Sequence, residues 1–518
     1  MKKETMKGRF KIHISGIIRA LVIASLVFAQ IGLIVFVTSF IQEYAVFFYF
    51  SIEVLSFVVI LTLVNSSLSN SYKIAWISIV LMLPMTGHIM FWLWGKSDSK
   101  KKIEKKVLRK LKHGNTFLEF NKDNEKLVED NHVYSSKVSK YLVKEGFPVY
   151  KNNKVSYFPF GETAFESIFK DIKEAKEYIM INFYIVAEGA IWDRMHELLL
   201  EKISEGVKVM FMYDDFGAMF RTSNDFDKKL ISEGFDVRVF NPIHKYVDKL
   251  YLNYRSHQKN IVIDGVIGYT GGINLADEYA NLIRRFGVWK DTAIRIEGDA
   301  VWGLAVTFLK MWEVCSKGEL IDYSPFKRTA SDLTVNDTCL QVVSDGPANH
   351  PHNPIESMYR QLIESSRKYC YITTPYLLLE NAMTDALCES AKAGVDVRII
   401  TPNIPDKKYV KLLTNYNYGK LLKSGVKIFE YTPGFIHAKM ILNEESACVG
   451  TINMDFRSFY LHYECGVLII DNNEIKPIYD DFLKIFDESR EVTYEEWTKR
   501  PLFHKIVQPL LYLFSPLM

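Results

Sequence analysis

One short pattern occurs twice in the chain, and this duplication restricts the possible folds more than any other sequence feature. Each copy has a histidine, a lysine two positions later and an acidic residue seven positions after the histidine. A single histidine in a strand usually only fills space, but a second copy of the whole pattern 180 positions later favours a catalytic role. The two copies are His257, Lys259 and Asp264, and His437, Lys439 and Glu444.

The residues around each pattern predict a β-hairpin that presents the histidine and the lysine together. Apolar and β-branched residues follow each lysine and end at a turn signal, which is typical of a strand that enters a hairpin. Because alternate residues of a strand share a face, the imidazole and the ammonium lie on one side, where they suit a phosphate. Further hydrogen-bond donors to an anion follow each hairpin: Thr270 and Asn274, and Thr451 and Asn453.

The same residues resemble the phospholipase D superfamily, whose signature is His-x-Lys, four residues and Asp. Two stretches, from Tyr254 to Tyr279 and from Gly450 to Ser458, look specifically like bacterial cardiolipin synthases. The resemblance extends over most of the chain. It implies transfer of a phosphatidyl group from one phosphatidylglycerol to another, which gives cardiolipin and glycerol through a covalent phosphatidyl-histidine. We predict no cofactor and no metal, because the two lysines, the two asparagines and nearby hydroxyls can stabilise the charge.

Residue roles follow from the resemblance only. It makes His257 the nucleophile and His437 the general acid and then base, whereas the residues themselves leave these two roles interchangeable. It also places a carboxylate downstream of each motif to orient a histidine, and the candidates are Asp291 and Glu464. Glu444 departs from the signature by one methylene, and we expect a shifted hydrogen bond with activity retained.

Internal repeats beyond the motif indicate the fold class. Residues 164–178 match residues 354–369, and a strand, a helix and a second strand follow in both places before the motif hairpin. We predict an α/β fold of two phospholipase D-like halves, each a mixed β-sheet flanked by helices, preceded by transmembrane helices. The predicted divisions are a membrane anchor (1–96), a basic linker (97–117), a first half (118–325), a second half (326–500) and an apolar tail (501–518).

Three apolar segments, at about 16–41, 44–64 and 74–95, predict a membrane protein because each is long enough, or nearly so, to cross a bilayer. A cleaved signal peptide is the alternative for the first segment. Lysine and arginine flank the segments on both sides, which favours a multi-pass protein of the cell membrane with two crossings and a cytoplasmic catalytic part. The third segment is then interfacial or re-entrant. The tail is either an interfacial anchor or buried in the catalytic part.

The predicted partners are phosphatidylglycerol and other anionic membrane lipids, because the basic residues cluster beside the membrane segments. A nuclease would need a basic groove with stacking aromatic residues, so we predict no nucleic-acid partner. The alternatives are a hydrolase of the phospholipase D type, a phosphatidyltransferase with another donor or alcohol, and a non-enzymatic scaffold if Glu444 disables the second half. The sequence makes no prediction of the oligomeric state.

Overall fold

The computed structural model of the chain describes residues 24–40, 42–66, 68–92, 98–242, 254–316, 318, 320–328, 336–349 and 353–517. The start of the first predicted apolar segment and the end of the third lie outside these residues.

Among the described residues before position 98, the chain forms four helices. They are α1 (Ala24–Phe40), α2 (Gln42–Val64), α3 (Asn70–Met82) and α4 (Thr86–Met90). Within the described ranges, one stretch, Glu43–Val64, is long and apolar enough to cross a membrane, and α1 falls short of that length. The predicted number of crossings therefore stays a proposal.

The third predicted apolar segment is a broken helix. Pro84, which cannot donate a backbone hydrogen bond, lies between α3 and α4. The side chain of Gln30 in α1 accepts a hydrogen bond from the Thr86 amide at 2.8 Å, and Trp76 in α3 packs with Leu63 in α2. The segment therefore folds back against the two helices before it.

In the residues of the first half that the structure describes, nine strands occur: β1 (Asn153–Phe158), β2 (Tyr178–Phe183), β3 (Lys208–Asp214), β4 (Asp236–Phe240), β5 (Arg255–Ser256), β6 (Asn260–Ile263), β7 (Ile267–Gly271), β8 (Val288–Lys290) and β9 (Ala293–Gly298). Seven of them form a sheet in the order β1-β9-β7-β6-β2-β3-β4. Strands β2, β3 and β4 are parallel and the other pairs are antiparallel, so the sheet is mixed, as predicted.

The second half repeats this arrangement. Its strands are β10 (Cys339–Asp345), β11 (Tyr369–Thr373), β12 (Asp396–Pro402), β13 (Lys427–Tyr431), β14 (Gly434–Ile436), β15 (Met440–Leu442), β16 (Ser446–Gly450), β17 (His462–Ile470) and β18 (Ser489–Val492). The sheet order is β10-β17-β16-β15-β11-β12-β13-β18. Apart from the added β18, it matches the first sheet strand for strand, which confirms the predicted duplication.

The helices of the catalytic part are α5 (Asp98–Asn115), α6 (Lys122–Asn131), α7 (Val133–Lys144), α8 (Gly161–Glu174), α9 (Ala190–Ser204), α10 (Asp215–Ala218), α11 (Phe226–Ser232), α12 (Val301–Cys315), α13 (Pro354–Ser365), α14 (Asn381–Lys392), α15 (Lys408–Lys423), α16 (Phe456–Tyr460), α17 (Lys476–Asp487), α18 (Tyr494–Thr498) and α19 (Leu502–Phe514). Short 3-10 turns lie at Asp277–Ala280, Ser324–Phe326, Pro347–Asn349 and Ser515–Leu517.

A buried helix holds the two halves together. α12 is apolar on nearly all sides and packs in one core with residues of both sheets, among them Met180 of β2 and Val467 of β17. Helices α8 and α9 cover the outer face of the first sheet, and α13 and α14 cover the outer face of the second. The halves therefore share one central core, and the surfaces that carry the histidine motifs are held in a fixed relation.

Two segments lie elsewhere than predicted. Helices α6 and α7, which we assigned to the first half, pack on the second: Gln341 in β10 donates a hydrogen bond to the Phe147 carbonyl at 2.9 Å, and Val138 lies in the core with Ile355. In the basic linker, Lys110 is buried and donates hydrogen bonds to the carbonyls of Glu313 at 2.6 Å and Ser316 at 2.8 Å. Lys110 therefore binds the end of α12, so this part of the basic linker is packed on the first half.

The apolar tail forms α19, which packs against α15 and α3. The Tyr512 hydroxyl donates a hydrogen bond to the Leu379 carbonyl at 2.8 Å, while Leu502, Phe503, Ile506 and Leu510 are exposed. One face of the tail is thus bound to the catalytic part and the other is apolar and uncovered.

Candidate active site

Each histidine motif is attached by a short parallel strand pair to the opposite half of the molecule. β5, directly before His257, pairs with the start of β17, and β14, directly before His437, pairs with β8. The His257 amide donates to the Tyr463 carbonyl at 2.9 Å, and the His437 amide donates to the Lys290 carbonyl at 2.7 Å. The two motifs are therefore fixed across the contact between the halves, with the same geometry twice.

This pairing exchanges the orienting carboxylates between the halves. Nδ1 of His257 lies 2.9 Å from Oε1 of Glu464, and Nδ1 of His437 lies 2.6 Å from Oδ2 of Asp291. Both carboxylates are completely buried. Since each carboxylate accepts a hydrogen bond from Nδ1–H, the unprotonated Nε2 of each imidazole is left for a substrate. The sequence identified both carboxylates but did not indicate that each serves the histidine of the other half.

The two lysines follow the histidines by two positions, and both are buried. The Lys259 ammonium donates to the carbonyl of His257 at 2.6 Å, and the Lys439 ammonium donates to the carbonyl of His437. Burial lowers the pKa of Lys259 to about 7 and that of Lys439 to about 8, because a desolvated ammonium is disfavoured. A phosphate that enters the site would place a negative charge near the two lysines and so favour their charged, ammonium form.

Burial and neighbouring charge also decide the protonation of the histidines. Burial, with the charges of both lysines, lowers the pKa of His257 and of His437 well below the usual value, so both imidazoles are neutral near pH 7 in the empty site. Burial raises the pKa of Asp291 to about 6. The site can thus offer a neutral imidazole as a nucleophile, and anionic substrate favours protonation of the second one.

Both histidines line one cavity of about 510 Å³, which also contacts Asn274 and Asn453. Asn274 is fully engaged, since it accepts from the Ile185 amide at 2.9 Å and donates to the Tyr279 hydroxyl at 2.7 Å. The buried Oδ1 of Asn453 has no hydrogen-bond partner in the described part of the chain. Asn453 can thus accept a hydrogen bond from a hydroxyl of a ligand.

The two threonines support the motif from behind. Thr270 donates to the Lys259 carbonyl at 2.9 Å, and Thr451 donates to a carboxylate oxygen of Glu464. Both are buried. They hold the lysine strand and the carboxylate in place, and neither residue lines the cavity.

The structure corrects the placement of Asp264 and Glu444 in the catalytic group. Asp264 lies beyond the far end of β6 from His257 and accepts hydrogen bonds from three amides, those of Lys176, Glu177 and Tyr178, at 2.7–2.8 Å. Glu444 binds the matching amides at the start of β11, those of Arg367, Lys368 and Tyr369. Both carboxylates therefore fasten a strand to the motif hairpin, and the longer side chain of Glu444 preserves this contact.

The sequence did not identify a second buried imidazole beside the first motif. His462 precedes Glu464 by two positions in β17, so the two side chains share a face, and this spacing was the available signal. The rings of His462 and His257 are 5.4 Å apart, and Arg457 Nε donates to His462 Nε2 at 3.3 Å. Burial lowers the pKa of His462 to about 3, so this imidazole is neutral.

Three of these side chains, His257, His462 and Glu464, have potential metal-ligand atoms within 4.8 Å of one another. Their hydrogen bonds account for the arrangement without an ion: Glu464 already accepts from His257 and from Ser458 at 2.7 Å, and Arg457 adds positive charge beside His462. We therefore describe the group as a hydrogen-bonded cluster and assign no metal to it.

Asp214 is a further residue that positions the motif. It is buried at the end of β3, accepts a hydrogen bond from the Ser256 amide at 3.0 Å and lies 3.3 Å from an Arg255 guanidinium nitrogen. Asp214 therefore stabilises the end of β3 next to the first motif, and Gly217, three positions later, lines the cavity.

Comparison with known proteins gives a consistent result over most of the chain. The sequence profile described as "Cardiolipin synthase, PLD-like domain" matches residues 168–292 and 359–489, and the profile "Phospholipase_D-nuclease N-terminal" matches residues 54–96. Cardiolipin synthase 1 of Staphylococcus aureus is 33% identical over 90% of this chain and 95% of its own length. Cardiolipin synthase of Listeria welshimeri is 33% identical over 86% of this chain and 93% of its own length.

The fold is also similar to a solved structure. Phosphatidylserine synthase of Haemophilus influenzae superposes with a TM-score of 0.55 at 13% identity, over 74% of this chain and 98% of that protein. At this identity the likeness concerns the fold alone.

Proposed function

Because the chain belongs to the cardiolipin synthase family of the phospholipase D superfamily, we propose that it transfers a phosphatidyl group from one phosphatidylglycerol to the hydroxyl of another. The products are cardiolipin and glycerol. One observation carries the proposal: two buried histidines line the same cavity, and each is bound at Nδ1 by a carboxylate of the opposite half. Such an arrangement suits displacement at a phosphorus atom held between the two rings.

In the first step, Nε2 of neutral His257 attacks the phosphorus of the donor lipid. A P–N bond forms, the bond from phosphorus to the glycerol oxygen breaks, and protonated His437 delivers its proton to that oxygen. Free glycerol leaves, and the phosphatidyl group remains on His257. Glu464 and Asp291 stabilise the positive charge that each imidazole carries during the reaction.

In the second step, the terminal hydroxyl of another phosphatidylglycerol attacks the phosphatidyl-histidine. His437, now neutral, takes the proton of that hydroxyl, a P–O bond forms, and the P–N bond to His257 breaks. Lys259 and Lys439 stabilise the negative charge on the non-bridging phosphate oxygens in both steps. No cofactor is required by this sequence of events.

We also propose that α1 and α2 form a hairpin that crosses the membrane twice and leaves the catalytic part in the cytoplasm. The basic residues before the first apolar segment and around positions 100–112 support this topology. The uncovered apolar face of α19 supports contact with the same membrane surface. Ser515, directly after α19, lines the cavity, so this contact would bring the membrane close to the site. Lipid could then enter the cavity without passing through water.

The experiment that tests the proposed reaction supplies purified full-length protein with phosphatidylglycerol in vesicles that contain a chelator, and identifies the products by mass. We expect cardiolipin and glycerol in equal amounts, and neither from the His257→Ala variant. Phosphatidic acid with glycerol would instead identify a hydrolase, and absence of any product would reject phosphatidylglycerol as the donor.

A further inference from the structure

The proposed reaction requires a place for a second phosphate. The acceptor phosphatidylglycerol carries its own phosphate, which does not react and is separated from the attacking hydroxyl by a single glycerol. The two histidines and two lysines surround the phosphate that does react. A second anion that enters the same cavity needs a cation of its own.

Two positively charged residues that line the cavity, Arg285 and Lys407, form no close ion pair within the described ranges. Each lies near an aromatic ring: the Arg285 guanidinium lies 5.2 Å from the Phe286 ring, and the Lys407 ammonium lies 5.6 Å from the Tyr376 ring. Two carboxylates, Asp406 and Asp455, line the same cavity, and the charge of Lys407 counteracts the effect of burial, which raises the pKa of Asp455 to about 6. Since neither cation is held in a close ion pair, both can still bind a phosphate.

Both residues lie on the His437 side of the cavity. Phe286, which supports Arg285, packs on Trp289 at 6.4 Å, and Trp289 lies 5.4 Å from the His437 ring. The charge of Lys407 is among the causes that lower the pKa of His437, which indicates that the two groups are close. Asp406, next to Lys407, accepts a hydrogen bond from the Tyr376 hydroxyl at 2.6 Å, and this contact fixes the loop.

Other cations that line the cavity are already engaged by protein groups. Arg221 is paired with Glu278, and Arg457 donates to His462 beside His257. The positive charge that is free for a ligand is thus concentrated near one histidine only. This breaks the approximate two-fold symmetry of the site.

We propose that Arg285 and Lys407 form a binding site for the phosphate of the acceptor lipid. The inference rests on the proposed function. If His257 is the nucleophile, in-line displacement requires the leaving glycerol and the attacking alcohol to occupy the opposite side of phosphorus, which is the side of His437. The free cations lie on that side, so they hold the acceptor with its hydroxyl at His437 and favour a phosphate-bearing alcohol over water or glycerol.

The test compares a charged acceptor with a neutral one. In vesicles of phosphatidylglycerol and phosphatidylcholine at fixed composition, we would measure the rate of cardiolipin formation and the rate at which labelled glycerol is exchanged into phosphatidylglycerol. Both reactions pass through the same phosphatidyl-histidine, but only the first needs a second phosphate site. The ratio of the two rates therefore reports on the acceptor site alone.

We expect Arg285→Gln and Lys407→Gln each to lower the ratio by about fivefold, the upper value for a partly exposed ion pair, and the double variant to lower it further. Arg284→Gln and Lys408→Gln are matched controls, because each removes the same charge one position away from a residue that lines the cavity. The controls should keep the wild-type ratio, which excludes a general effect of charge on membrane binding.

An unchanged ratio in the double variant would overturn the inference, and so would an equal loss of both rates, since the residues would then act on a step common to both acceptors. A fall of the same size in the controls would also overturn it. Failure of the proposed function is distinguishable, because in that case the wild-type protein itself makes no cardiolipin.

Discussion

The two histidine–carboxylate pairs are built on the same backbone pattern but differ in the number of donors around the carboxylate. Glu464 accepts from His257, from the Thr451 hydroxyl and from the Ser458 hydroxyl. Asp291 accepts from His437 and from the amide of Thr292 at 2.9 Å. Duplication thus reproduces the placement of the catalytic groups, whereas the surrounding hydroxyls differ between the halves.

This difference supports distinct roles for the two histidines. The hydroxyl donors hold the Glu464 carboxylate in place, so that it accepts from Nδ1 of His257 and leaves Nε2 free to attack. Asp291 has fewer donors, and burial raises its pKa to about 6, which favours transfer of positive charge to His437 beside it. The asymmetry agrees with His257 as the nucleophile and His437 as the acid and base.

The largest expected effect comes from replacing the histidines, and it separates their roles. His257→Ala should lower cardiolipin formation on the order of 10⁶-fold, because no covalent intermediate can form. His437→Ala should cost roughly 10²–10⁴-fold with phosphatidylglycerol. With a phosphatidyl ester of nitrophenol, whose leaving group needs no proton, the His437→Ala protein should still become labelled, as measured by intact-protein mass. Labelling of His257→Ala instead would reverse the assignment.

Exchanging the carboxylates for amides should reveal the difference in hydrogen bonding. Asp291→Asn and Glu464→Gln should each lower kcat by about 10²-fold or more, because an amide orients the wrong imidazole tautomer. Glu464→Gln should also lower Tm, since the new NH₂ group faces a hydroxyl donor and leaves buried groups unpaired, at a cost of about 1–3 kcal/mol. Thermal unfolding with turnover measured on the same samples checks this. Equal Tm losses in both variants would remove the distinction between the pairs.

The pH dependence of kcat/KM should have two limbs that come from different groups. Activity needs ionised Asp291, which is lost as pH falls through about 6, and protonated Lys259, which is lost as pH rises through about 7. The rate should thus fall about tenfold per pH unit beyond each limit. Lys259→Arg should lower the rate but move the alkaline limb upward towards the pKa of Lys439, about 8, because arginine does not titrate in this range. If the alkaline limb stays at the same pH in this variant, the limb comes from a group other than Lys259.

Local patterns in the sequence predicted much of this architecture and of the site. The repeated spacing of histidine and lysine located the cleft, because alternation along a strand is independent of tertiary structure. The repeats predicted that the two sheets would have the same strand order, but they did not predict what that order is. The packing of α7 on the second half was not predictable, since its apolar face would fit either half.

The exchange of Asp291 and Glu464 between the halves could not be read from the sequence either. It depends on β8 pairing with β14 and β5 pairing with β17, contacts between segments far apart in the chain and only two or three residues long. Asp264 and Glu444 were misplaced for the opposite reason. They belong to the signature, but a signature records which residues recur together and does not separate chemistry from strand attachment.

The smallest expected effect concerns these two carboxylates and tests whether Glu444 weakens the second half. Asp264 reaches its three amides with both oxygens from a residue whose φ is 51°, whereas Glu444 reaches the matching amides with a single oxygen. Glu444→Asp restores the common signature but removes one methylene, so the carboxylate would fall short of those amides. We expect a lower Tm, equivalent to about 1–2 kcal/mol, with turnover unchanged well below Tm, because the contact lies at the strand end away from His437.

Asp264→Glu is the matched control and should destabilise to a similar degree by crowding the turn. A gain in turnover from Glu444→Asp would mean instead that strand attachment limits the geometry of the second motif, and that the two halves differ in catalysis because of this one methylene.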